Sequence, residues 1–200
     1  RPSTLFTSAR SCAYSLGIVI SRASFAAVLL NRGGDVLIAQ SIPASHPINY
    51  LEALDAIGAL LLERARTRGV ITDYVHTIGV GLPVPMGSNV SHSPHSPYPS
   101  RESVTDIISR RWKGSILIDT TARLCALSEA LWGAGQGYPS ILYVRLSNGI
   151  GASLVVSYHL SGGDLGFTGE LGHMRVPDVH TPCACGKEGC LETLASIPAL

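Results

Sequence analysis

The stretch GELGHMRVPDVHTPCACGKEGCLE, residues 169–192, places His173, Cys183, Cys185 and Cys190 within eighteen positions and sets a glutamate at each side. The spacing is His173-x9-Cys183-x-Cys185-x4-Cys190. Three thiolates and one imidazole are the ligand set of a closed, tetrahedral structural zinc. Gly186 and Gly189 let the backbone turn tightly between the ligands. Ordinary buried or surface cysteines would not need so compact a spacing. A redox pair is a poorer fit, because the motif is CxC and not CxxC. A catalytic zinc would keep an open position, which four good protein ligands deny it. A closed zinc leaves Glu170 and Glu192 unused but holds both near one point. Carboxylates facing a pocket accept hydrogen bonds from sugar hydroxyls, the alternative being that both are solvated surface groups.

The 200 residues are 46% hydrophobic and 14% charged, with a net charge of +1. That is the composition of a globular chain able to bury a sizeable core, as one large domain or two small lobes. Lys and Arg are scattered, which gives no electrostatic footprint for nucleic acid, so unaided DNA binding is not expected. No apolar run has the length of a membrane span, and the opening Arg1-Pro2-Ser3 is not a signal peptide. Five cysteines are an odd number and too few for a secreted disulfide scaffold, so Cys12 and Cys125 read as small buried hydrophobes and a reducing cytoplasm as the compartment.

Outward from the cluster, LGIVIS, SFAAVLLN and DVLIAQ read as strands, the last two separated by the turn NRGGD. NYLEALDAIGALLLERARTRG carries Leu51, Leu54, Ile57, Leu61 and Ala65 at helical spacing and stops at Gly69. VHTIGVGL reads as a buried strand, giving the order β-β-β-α-β. The five prolines of residues 83–100 predict a loop. A short helix over Ser103–Trp112, a strand GSILID and a helix TARLCALSEALWGAG follow. ILYVRL and ASLVVSYHL read as strands around the turn SNGIG. The class is α/β with two sheets.

GELGHM followed by CACGKEGCLETLAS resembles the signature of the ROK family (repressors, open reading frames and kinases). The resemblance runs in order along most of the chain. GIVISRASFAAVLLNRGGDVL lies where that family has its first phosphate hairpin, GVGLPVP resembles its proline loop, LIDTTARLCALSEALWGAG its catalytic helix, and SNGIGASLVV its second glycine-rich phosphate turn. The resemblance implies an actin-like, ribonuclease-H-like fold of two α/β lobes with sugar bound in the cleft. It implies that Glu170, His173 and Glu192 contact the sugar, together with the positions of Thr120 and Thr121. It also implies that His173 serves the zinc and the sugar at once, so that the metal braces a sugar-binding histidine.

The sequence departs from the family where ATP chemistry would be done. Anchored on Glu129-Ala130-Leu131-Trp132-Gly133, the family's acid-Asn-Asp run falls on Asp119-Thr120-Thr121, and Thr121 replaces the base. Loss of a general base costs roughly 10²–10⁴ in rate. Asp119 is the possible substitute. In the first hairpin, Val19, Ser21, Arg22, Ala23 and Ser24 replace a metal-linked acid and the glycines that admit phosphate. Gly149 and Gly151 remain in the second turn as a phosphate-loop remnant, which a plain strand turn would also explain.

The expectation from these residues is a kinase-dead, sugar-sensing effector domain of a transcriptional repressor. It is not an enzyme, carries structural zinc and needs neither ATP nor magnesium. Residues 1–12 are expected to be a linker from an N-terminal helix-turn-helix that is not part of the sequence, 13–118 the first lobe, and 119–200 the start of a second lobe that continues beyond Leu200. DNA is met only through that missing segment, no membrane is involved, and the chain is a homodimer or larger homo-oligomer. The alternatives are an active, glucokinase-like ATP-dependent sugar kinase with a displaced base, and a zinc-structured dimerisation module without sugar binding. Loss of Asn and Asp at Thr120 and Thr121, and Val84 in place of a loop glycine, favour the last. His92 and His95 read as solvated loop histidines. The sugar is not readable.

Overall fold

The structure is a computed structural model, and it describes residues 13–21, 24–44, 49–83, 100–162 and 169–200. The expected linker at 1–12, Arg22, Ala23, Val84, His92 and His95 lie outside the described residues. The chain divides into two compact units, one holding the described residues up to Leu82 and those from Ser100 to Asp119, the other Pro83 and the described residues from Thr120 to Leu200.

The first unit is built on a five-stranded sheet. Strands β1 (Tyr14–Ile20) and β2 (Ser24–Asn31) form an antiparallel hairpin, and β3 (Val36–Pro43) adds to β2. Alternation decides the faces: Leu16, Ile18 and Ile20 point inward with Phe25, Ala27 and Leu29, all essentially buried. Helix α1 (Tyr50–Thr67) begins where Asn49 accepts a hydrogen bond from the Glu52 N–H. It buries Tyr50, Leu54, Ile57, Leu61 and Ala65, one stripe at helical spacing. Strand β4 (Val75–Leu82) then pairs parallel with β1, which needs the long crossover that α1 provides.

Helix α2 (Arg101–Ser109) starts at the Ser100 cap, which accepts from the Ser103 N–H at 3.1 Å. It begins before Ser103 and ends before Trp112, because the serine cap sets its start. Strand β5 (Ser115–Thr120) completes the sheet in the order β3-β2-β1-β4-β5. Arg111 ties the end of α2 to α1 through a two-pronged pair with Asp55, at 2.9 and 2.7 Å.

In the second unit, helix α3 (Thr121–Trp132) opens at Thr120, whose Oγ1 accepts from the Arg123 N–H at 3.3 Å. It packs Ala126 and Ala130 on Val155, with Ile141, Tyr143 and Leu160 around them. Strands β6 (Ser140–Leu146), β7 (Ile150–Val156) and β8 (His159–Leu160) make an antiparallel sheet in that order. ASLVVSYHL is therefore not one strand. Ser157 and Tyr158 take φ of 49° and 63°, and the Ser157 N–H turns to the Pro139 carbonyl at 2.7 Å. A short helix α4 (Glu192–Ala195) follows the cysteine cluster and was not anticipated from the sequence.

Candidate functional site

Among the described residues, strand β8 pairs with β7 at Val155 and Val156 only, and leaves the rest of that β7 edge to other groups. Three backbone groups on that edge find other partners. The Leu154 carbonyl accepts from the Ser161 N–H at 2.8 Å, and the Ala152 N–H donates to the Gly169 carbonyl at 2.9 Å. The Ile150 N–H donates to Glu192 Oε2 at 2.8 Å. Both candidate sugar acids are thus registered on one strand edge, Glu170 through its neighbour Gly169 and Glu192 directly.

The GELG segment can lie so close because two of its residues have no side chain. A Cβ on Gly169, where φ is +95°, would fall 1.8 Å from the Ala152 carbonyl oxygen, and one on Gly172 would fall 2.3 Å from that of Ile150. Backbone does not yield to such contacts. The single 3-10 turn Leu171–His173 then brings His173 back over Glu170, with the His173 N–H on the Glu170 carbonyl at 3.0 Å.

His173 presents its two ring nitrogens to different groups. Nδ1 lies 3.7 Å from Cys183 Sγ, and Nε2 lies 3.9 Å from Glu170 Oε2. The four donor atoms of His173, Cys183, Cys185 and Cys190 lie within 4.8 Å of one another. Cys185 and Cys190 Sγ are 3.6 Å apart. Donors around one tetrahedral zinc, at bond lengths of about 2.0–2.3 Å, are separated by roughly 3.5–3.8 Å; the 3.6 and 3.7 Å pairs match that spacing, and the set could hold such an ion. Main-chain bonds hold the knuckle: Cys183 N–H to Lys187 O at 2.8 Å, Gly189 N–H to Thr181 O at 3.0 Å, and Val176 N–H to Gly189 O at 2.7 Å. Gly186 and Gly189 both take positive φ. A cavity of about 320 Å³ opens beside the cluster, lined by His173, Arg175, Lys187, Glu188 and Cys190, and neither candidate sugar acid lines it.

Charge is strained here in informative ways. Burial pushes the Glu170 carboxyl up, His173 opposes that, and the Glu192 carboxylate adds to it. Burial, with Cys185 and Cys183 beside it, pushes the Cys190 thiol up to about 12. Burial acts the same way on Cys185, but the Lys187 N–H and the neighbouring thiols outweigh it and leave this thiol lowered.

Thr120 is the cap of α3. Thr121, its first residue, is buried, and its Oγ1 meets no hydrogen-bond partner among the described residues. Asp119 lies on β5 in the first unit. Gly149 and Gly151 flank the start of β7, where a Cβ on Gly151 would press on Ala122 of α3 at 3.3 Å. The Ile150 N–H is the participant that sequence reasoning missed. No local signal joins it to a carboxylate 42 positions away.

The ROK family sequence profile matches residues 15–200. This chain belongs to the ROK family. It is 27% identical over 180 residues to the xylose repressor of Bacillus subtilis, covering 76% of this chain and 47% of that protein. It is 32% identical over 126 residues to the glucokinase of Thermotoga maritima, covering 62% and 40%. The chain thus spans about half or less of the length of these curated relatives. Among solved structures, the ROK hexokinase of Thermus thermophilus superposes with a TM-score of 0.70 at 27% identity, over 93% of this chain and 61% of that one. The fold is the actin-like, ribonuclease-H-like one of ROK sugar kinases.

These relatives correct one expectation. The reading that the chain is not an enzyme rested on Thr121 and on the altered first hairpin. The similarity to sugar kinases overturns it. The physical reason is that phosphoryl transfer is carried mostly by positioning and electrostatics, so a substituted base lowers a rate and does not by itself remove a chain from a kinase lineage.

Proposed function

We propose that this chain is a sugar-binding domain of a sugar-responsive ROK regulator. Glu170, His173 and Glu192 accept and donate hydrogen bonds to sugar hydroxyls, with Thr120 and Thr121 completing the contact. A zinc ion held by His173, Cys183, Cys185 and Cys190 is the structural brace. The carrying observation is the split of His173, with Nδ1 toward the thiols and Nε2 toward Glu170. A metal bond on Nδ1 fixes the ring plane and the tautomer, and so aims Nε2. The similarity to xylose repressors supports the regulatory setting. On this reading DNA is contacted by a helix-turn-helix outside these 200 residues, and the chain acts as a homodimer whose geometry responds to sugar.

A second reading, a sugar kinase, is supported by the glucokinase relatives. Calorimetry on zinc-loaded protein with D-xylose, D-glucose and N-acetyl-D-glucosamine tests both, with ADP followed in the presence of ATP and magnesium. Saturable heat that disappears in Glu170→Ala supports the sugar site. ADP formed above the Glu170→Ala control selects the kinase, and absence of heat from every sugar removes both.

A further inference from the structure

Gly149 looks like a phosphate-loop remnant, but its surroundings assign it elsewhere. Its φ is not positive, so the backbone does not reserve the position for glycine. A Cβ there would lie 2.8 Å from Glu192 Oε2, 3.5 Å from its Cδ and 3.9 Å from its Oε1. These three nearest atoms all belong to one carboxylate. The same Oε2 accepts the N–H of the next residue, Ile150, at 2.8 Å. The turn is closed by the Ser147 N–H and Oγ on the Gly149 carbonyl, at 3.1 and 3.2 Å. It is also tied to the segment after α4, because the Ile197 N–H donates to the Ser147 carbonyl at 2.9 Å. The turn therefore grips the Glu192 segment at two points, one by main chain and one at the carboxylate.

We propose that Gly149 is a positioning residue for the sugar site, which deepens the sugar-binding reading and rests on it. The missing side chain leaves the space in which Glu192 sits on the Ile150 N–H, with Oε1 left to accept from a sugar hydroxyl. A methyl group at 149 would meet the far end of a flexible side chain, which moves more cheaply than backbone. Gly149→Ala therefore leaves the fold intact and displaces the carboxylate.

The test is a double-mutant cycle of Gly149→Ala and Glu192→Ala, read by the Ile150 amide resonance, thermal unfolding and calorimetry with the three sugars above and with ATP. Gly149→Ala is expected to keep an unfolding temperature near wild type and to shift the Ile150 amide in the direction seen in Glu192→Ala. It should weaken sugar about tenfold or more, as expected for losing a hydrogen bond to a charged group. In the Glu192→Ala background the same substitution should add nothing. If Gly149→Ala alone fails to fold, rescue by Glu192→Ala supports the assignment. An unmoved Ile150 amide, a sugar loss that persists without Glu192, or a loss confined to ATP overturns it. The amide and unfolding cycles need no sugar, so failure of this link and failure of the sugar reading are separate results.

Discussion

His173 Nδ1 lies 3.7 Å from Cys183 Sγ, ten positions later in the chain, while the other nitrogen of the same ring is turned to Glu170. One imidazole thus joins the thiol cluster to the Glu170 carboxylate. The expected consequence is that metal and sugar sites fail together. Purified protein should hold one zinc per chain by elemental analysis. Cys183→Ser should lose it, lower the unfolding temperature and abolish sugar heat, although Cys183 is not among the proposed sugar contacts. Zinc restored to a chelated wild-type sample should bring both back.

Zinc bound by this cluster must displace thiol protons. The Cys190 thiol, pushed up to about 12 by burial, is protonated near neutrality without the ion. The proton competes with the metal, so apparent zinc affinity should rise with pH, by about tenfold per unit for each proton released. Competition with a chromophoric chelator at several values around neutrality measures the slope. A flat profile would contradict a protonated metal-free thiol.

Thr121 carries a buried hydroxyl without a partner among the described residues. Such a group costs stability, on the order of 1–3 kcal/mol. Thr121→Val should therefore be neutral or stabilising in thermal unfolding, by about 1 kcal/mol, while weakening sugar if the hydroxyl is spent on the ligand. Gain of stability with unchanged sugar affinity would remove Thr121 from the site.

Gly172→Ala should behave unlike Gly149→Ala. Its Cβ would meet the Ile150 carbonyl oxygen at 2.3 Å, a main-chain atom that cannot swing aside. A cost of roughly 1–3 kcal/mol is expected, with weakened zinc uptake because His173 is the next residue. Equilibrium denaturation with a zinc assay separates the two glycines.

In the first unit, the Arg111 hydrogen bond and charge hold the Asp55 carboxyl below its ordinary value of 3.8. Burial opposes this only in part. A folded pKa below the unfolded one means stability that is present above the unfolded value and is lost as pH falls through the folded one. Asp55→Asn should thus be less stable than wild type at neutral pH by about 1 kcal/mol or less, since both partners are partly exposed. The two proteins should converge in acid.

Much of this protein was legible from local pattern. The gathering of His173, Cys183, Cys185 and Cys190 into one candidate metal site could be read because metal chemistry depends on residue types at short spacing, and His173 to Cys190 is one short stretch. The α1 stripe could be read because Leu54, Ile57, Leu61 and Ala65 share a face whatever they pack against. The break at Ser157–Tyr158 could not, because its left-handed backbone is held by a bond to Pro139, the residue just before β6. Nor could two altered sites, the start of α3 and the first hairpin, decide between kinase and regulator, since catalysis in such a fold is spread over many positioning groups. Only the tertiary structure decided that the open edge of β7 seats Gly169 and Glu192. Which carboxylate meets which N–H depends on distances between residues far apart in sequence, and those distances exist only once the strand edge has formed.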